Sequence, residues 1–159
     1  MPEFPPMPRS ARAIGRQWEM RWRLGGLIPV MSASDDRITR SAVGRLAIES
    51  VLVPTACVGA RWTEDDRGAH MTWTADGHED AVDVDIDADG RLRGAAMQRW
   101  GTPTGAAYGR YRFGVGVEEQ REFAGVTVAS RFRVGWWRGT DRQDEGEFFR
   151  ARITDAVFH

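Results

Sequence analysis

The residue with the clearest chemical potential is Glu49. It stands on a stretch that is apolar on both sides, where desolvation raises a carboxyl pKa and suits the group to general acid or base work. Arg45, one helical turn earlier, is spaced for an ion pair that competes with that role. A second set of residues is suited to binding. The chain holds 7 tryptophans, and large rings either fill a core or line a cavity for a flat or greasy ligand. Trp73 and Trp136 read as core. Trp18, Trp22, Trp62, Trp100 and Trp137, with Tyr108 and Tyr111, are the candidates for lining a cavity, and Arg110 and Arg112 for holding an anionic head group.

Other constellations lead less far. Asp85-Ile-Asp87-Ala-Asp89-Gly90-Arg-Leu92 opens like a calcium loop, with acids at positions one, three and five and glycine at six. Position twelve, which needs a bidentate glutamate, is Ala96, and no helix signal flanks the stretch. It reads instead as a hairpin pairing Asp87 with Arg91 and Asp85 with Arg93. His70, His78 and His159 do not converge with further ligands in sequence, so no metal is expected and the first two read as surface residues. Cys57 reads as a buried, inert thiol. There is no phosphate-binding glycine loop, no nucleophile elbow and no dinucleotide fingerprint, and no cofactor is expected.

The elements that must carry these groups follow from periodicity. Four of the 7 prolines fall in residues 1–9, so residues 1–15 form an extended proline-rich arm and residues 16–159 a single antiparallel-sheet domain. Residues 16–32 alternate as one strand, with a bulge or bend at Gly25-Gly26. Residues 40–53 are the one convincing helix, limited by Pro54. Beyond Pro54 the period is two, with strands at 60–64, 69–75, 79–87, 91–100, 110–120, 126–137 and 147–158 and turns at Asp76-Gly77, Asp89-Gly90 and Ala124-Gly125.

The turns set the register. A two-residue turn at Ala124-Gly125 places Val117 opposite Phe132, Val115 opposite Val134 and Phe113 opposite Trp136. If Arg138 faces Glu147, then Trp136 faces Phe149, Val134 faces Ala151 and Phe132 faces Ile153. Both turns give one apolar face, which a one-residue slip would destroy. The opposite face gathers Arg112, Arg131, Arg133, Arg150 and Arg152, beside Trp137 and Phe148, with Arg133 across from Arg152. Glu118 is the compensating acid.

Composition narrows the classes. At 159 residues the length suits one domain. All 22 basic residues are arginine, and lysine and asparagine are absent, which points to a bacterial genome of high GC content. Net charge is −1 and the pI about 6.3, against a nucleic-acid binder, despite the aromatic–basic run Tyr111-Arg112-Phe113. A single cysteine excludes an intrachain disulfide. No apolar run reaches the ~18 residues of a membrane span, and a cytoplasmic location is expected.

Two segments together carry a family resemblance. Gly44-Arg-Leu-Ala-Ile-Glu49-Ser-Val-Leu-Val-Pro54-Thr-Ala is similar to an A-E-[AS]-V-x-x-P-[ST]-A helix end. Gly135-Trp-Trp-Arg-Gly-Thr-Asp141, with Gly146-Glu-Phe-Phe-Arg and Ile153-Thr-Asp155, is similar to a C-terminal hairpin, and Phe123-Ala-Gly125-Val to the turn before it. Over residues 24–158 the chain thus resembles a bacterial family of uncharacterised proteins, a domain of unknown function. The resemblance implies a curved antiparallel sheet with a helix against it, like the half-barrels of lipoprotein carriers. It implies no activity, and no role for Glu49 or Pro54. Family members carry a further stretch ahead of the position of Leu24, where this chain has its short arm.

The expected fold is therefore mainly β: a curved, half-barrel-like antiparallel meander of about seven or eight strands with one main helix on one face. The expected function is binding of a hydrophobic or amphipathic small molecule in an aromatic-lined cavity. The alternatives are a cofactor-independent cyclase or isomerase of a natural-product pathway acting through Glu49, and an interaction module or homodimer pairing through a sheet edge or helix face.

Overall fold

The computed structural model describes residues 36–57, 59–66, 68–75 and 77–158, and the backbone alone of residues 9–14, 17–24 and 28–33 and of Pro54 and Thr55. The chain divides into two compact units, Met1–Ala42 and Val43–His159. The first holds a three-stranded antiparallel sheet of β1 (Arg9–Ile14), β2 (Gln17–Leu24) and β3 (Ile28–Ala33), in that order. Leu24 pairs with Ile28, so the strand expected over residues 16–32 is two strands. Residues 1–8 of the expected arm lie outside the described residues.

Helix α1 (Asp36–Ser50) begins four residues earlier than the pattern predicts, with Asp36 in its first turn, where a carboxylate complements the helix dipole. It ends before Pro54, whose ring disfavours helical geometry in the preceding residue. Tight turns from Leu52 N–H to Glu49 C=O and from Val53 N–H to Ser50 C=O close it, followed by a 3₁₀ turn, Pro54–Cys57. The Cys57 thiol donates to the Ser50 carbonyl at 3.1 Å, satisfying one of the orphan acceptors of the helix end.

The second unit is one open, curved antiparallel sheet of seven strands: β4 (Arg61–Asp65), β5 (Gly68–Ala75), β6 (His78–Ile86), β7 (Leu92–Gly101), β8 (Gly109–Phe123), β9 (Val126–Trp136) and β10 (Glu147–Arg152). Each strand neighbours the next in sequence, so the sheet is a meander. Val43, Ala47 and Ile48 of α1 are fully buried, the last two in a core with Met71, Val82, Ala95, Met97, Phe113, Val115, Phe132 and Val134. Leu46 is exposed.

The β8–β9 register is as derived. Phe113 pairs with Trp136, Val115 with Val134 and Val117 with Phe132, with a bulge where Glu119 meets Arg131. Ala124 and Gly125 both take positive φ, 48° and 82°, as a turn matching strand twist requires. The β9–β10 register differs by two residues: Val134 pairs with Phe149, Phe132 with Ala151 and Arg133 with Arg150 rather than Arg152. The connection contains a single helical turn, α2 (Gln143–Gly146), which starts β10 with Glu147 opposite Gly135, and Phe148 is bulged. An even shift leaves every side chain on its expected face.

On the face away from α1, carboxylates separate the arginines. Glu118 pairs with Arg131 and Arg133, both at 2.9 Å, and Glu147 with Arg133 at 3.4 Å and with Arg150. Arg150, then the burial it opposes, governs Glu147, whose carboxyl is held below its usual range. Arg138 lies flat on this face in a trough of glycines. A Cβ at Gly114 would meet Arg138 Cγ at 2.5 Å and the Ala95 carbonyl at 2.7 Å, and one at Gly116 would meet Arg138 Cζ at 2.8 Å.

On the same face, towards the β4 edge, His70 joins three strands. It pairs with Thr63 on β4 and Asp83 on β6, and its ring nitrogens lie 3.0 Å from Asp65 and 2.9 Å from Asp83. Hydrogen bonds to Asp65 and then Asp83 raise its pKa above 6.5.

Two outcomes follow from this packing. Gly114→Val should lower stability in urea by about 1–3 kcal/mol, because the backbone oxygen of Ala95 cannot move aside. For His70, folding favours the protonated form, so its contribution is complete below the unfolded pKa and disappears as pH rises through the raised folded value. The urea midpoint should therefore fall more steeply than in His70→Gln as pH rises above the roughly 6.5 of a free imidazole. Equal slopes would show that the two carboxylates do not hold the proton.

Candidate functional site

Alternate turns of a meander lie at the same end of the sheet. The β6–β7 and β8–β9 turns share one end, and the chain leaving α1 meets them there. Between these segments is a cleft of about 560 Å³. Leu52, Val128 and Ala129 are buried along it, Val51 and Leu92 are half-buried, and Ile86 is 47% exposed. Arg91, Gln120, Arg121, Glu122 and Thr127 supply the polar lining. Arg121 is paired with Glu119. The Arg91 guanidinium has no carboxylate partner among the described residues, because the local acid is spent on the backbone.

That acid is Asp87. Its carboxylate accepts the N–H groups of Arg91 at 2.9 Å and Asp89 at 3.0 Å and forms an ion pair with Arg93 at 2.8 Å. The Arg91 bond is the largest of the effects that hold it below the usual carboxylate range. Asp87 N–H donates to the Arg91 carbonyl, closing the expected three-residue turn, whereas Asp85 pairs with Gly94 and Arg93 turns to Asp87 instead. The calcium-like motif is thus a self-satisfied hairpin, and no cluster of three metal-binding side chains occurs among the described residues.

Glu49 lies elsewhere. Its Oε1 meets Arg45 Nε at 2.6 Å, both side chains being about one-third exposed, and it does not line the cleft. Beside the pair is a buried charge, Arg99 on β7, at 8% exposure. Burial, then the nearby positive Arg45, lowers its pKa to about 10, while Glu49 and Asp80 oppose the shift. The guanidinium lies 4.6 Å from the ring centre of Phe113 and 4.9 Å from that of Trp136, where aromatic faces offset lost hydration. Gly44 admits the helix here, since a Cβ on it would approach Arg99 Cγ to 3.2 Å and Asp80 Oδ2 to 3.6 Å.

The expected aromatic site is divided. Trp100 stacks on Tyr108 at 5.4 Å, the Tyr111 hydroxyl donates to the Ala107 carbonyl, and Arg110 donates to the Gln98 carbonyl, so these four gather at the β7–β8 turn. Arg112 and Trp137 meet at the β9–β10 turn, where Trp137 N–H donates to the Arg112 carbonyl and Arg112 Nε to the Arg138 carbonyl, both at 2.6 Å. Trp137 holds a left-handed φ of 56°, uncommon for a bulky residue, with Arg142 3.8 Å above its ring. Trp62 stands apart on β4. The side chains of Trp18 and Trp22, on β2, lie outside the described residues. Trp62, Trp100, Trp137, Tyr108, Tyr111, Arg110 and Arg112 do not line the cleft. Its own residues escaped notice because the sequence signal for them is indirect: the two turns at 88–90 and 124–125 fall at one end of a meander.

The fold and cleft define a class, an open curved sheet covered by one helix with a groove at its end. The chain belongs to a family of unknown function (DUF6920), whose profile matches residues 14–158. No curated protein and no solved structure matches it. Among the described residues no helix is long and apolar enough to cross a membrane.

Proposed function

We propose that the protein binds a small amphipathic anion, with its apolar body in the cleft between the end of α1 and the two hairpins and its charged head at Arg91. The observation that carries this reading is a groove of about 560 Å³ with Leu52, Leu92, Val128 and Ala129 inside it and a guanidinium at its margin that no carboxylate among the described residues neutralises. The volume lies within the roughly 300–1,000 Å³ usual for small-molecule sites. A charge-assisted bond to a carboxylate or phosphate then fixes orientation. The acid–base reading of Glu49 has less support, since its carboxylate is held by Arg45 and would have to leave that pair to act on a substrate.

Dodecanoate, titrated into the purified protein and followed by calorimetry, should bind with one-to-one stoichiometry. Arg91→Glu should weaken it about tenfold or more without changing the circular dichroism spectrum. Dodecanol should bind wild type and variant alike. Absence of dodecanoate binding, or an unchanged affinity in Arg91→Glu, would refute the assignment.

A further inference from the structure

The strand β4 ends the seven-stranded sheet, and no strand pairs with its outer side among the described residues. All five of its residues are exposed, and Trp62 keeps 47% of its surface in water. Such an edge is a template for a further strand. Its charges are asymmetric, with Arg61 at one end and Glu64 and Asp65 at the other. That order is complementary to its own antiparallel copy.

We infer that β4 is a homodimer interface, in which two copies pair antiparallel about a two-fold axis at Thr63. Arg61 then faces Asp65 of the partner subunit, Trp62 faces Glu64 of the partner subunit, and Thr63 faces its own counterpart. The hydrogen-bond parity fits. The pair Asp65–Gly68 closes a two-residue hairpin and bonds inward to β5, so Trp62 and Glu64 turn their N–H and C=O groups to the free side. In this register those outward residues meet one another.

The charges fit as well. Arg61 is paired with Glu79 at 2.7 Å, and Asp65 lies 3.0 Å from His70, which lies 2.9 Å from Asp83. Joining Arg61 to Asp65 of the partner subunit extends both sets into one row of alternating sign across the interface. A slip of two residues in one direction would set Glu64 against its own copy. In the other direction it would set Arg61 against Thr63 and lose the charge pairing. Trp62 of each copy comes within the diagonal reach of the other, roughly 7–8 Å, which covers the exposed rings.

The test uses the full chain with Cys57→Ser. Thr63→Cys should form a disulfide-linked dimer on mild oxidation, because non-hydrogen-bonded antiparallel partners stand about 4.5 Å apart at Cα, inside the disulfide range. Asp65→Cys should not, since its counterpart is Arg61. By sedimentation equilibrium, Arg61→Asp should weaken the dimer about tenfold, and Arg61→Asp with Asp65→Arg should recover it to within about threefold. A monomer at every concentration, with the Trp62 and Glu64 amides protected from exchange, would mean that another segment of the same chain covers the edge. That result, or equal cross-linking at positions 63 and 65, overturns the inference.

Discussion

The arrangement of the larger unit depends on burying one face of β7, β8 and β9 against α1. Met97, Phe113, Val115, Phe132 and Val134 are almost fully removed from water there, with Ala47 and Ile48 above them. At roughly 25 cal/mol per Å² of apolar surface, no other interaction in the unit competes with this one. It decides which residues are left for the other face. Because alternation along a strand is strict, Arg112, Arg131 and Arg133 must stand on the side away from the helix. Glu118 and Glu147 then become necessary, for like charges on neighbouring strands are unfavourable without an acid between them. The glycine trough under Arg138 belongs to the same logic, since only residues without a side chain let a long cation lie flat on the sheet.

This dependence explains what could be read in advance. The β8–β9 register was legible because a two-residue turn and an apolar face each demand it, and a slip of one residue violates both. The β9–β10 register was legible only as to face. The apolar pattern tolerates a shift of two, and the connection decides the rest: β9 stops at Trp136, so Trp137 and Arg138 join the connection and Glu147 meets Gly135. The start of α1 was missed by four residues because Asp36, Arg37 and Arg40 break the apolar pattern that marks a helix buried along its whole length.

The site was less legible than the fold, for a related reason. Alternation reports which face a side chain occupies, but a cleft at the end of a sheet is made by turns and by the chain leaving the helix. Arg91 and Arg121 look like ordinary exposed strand-end residues in sequence, and Val51 and Leu52 like the end of a helix. Only tertiary structure brings them together. The aromatic residues gave the opposite difficulty. Their number suggested one cavity, yet Trp100 stacks on Tyr108, Arg142 covers Trp137, and Trp136 meets Phe113 and Tyr111 edge-on. Each ring pair is satisfied by local contact, worth about 0.5–1.5 kcal/mol beyond burial.

Arginine as the sole basic residue has structural consequences beyond its genomic origin. Glu118 sits between two guanidinium groups, and Arg99 is buried against two aromatic rings. Arg142 covers Trp137 and also reaches Glu145. Each arrangement uses a flat, weakly hydrated cation with donors on several edges. An ammonium is compact and strongly hydrated, and at the position of Arg99 burial would press it towards its neutral form. A guanidinium keeps its charge there even with its pKa lowered to about 10. The carboxylates Asp80 and Glu49 therefore lie near a permanent positive charge beneath the helix, which ties the Arg45–Glu49 strip of α1 to the same sheet face that its apolar residues bury.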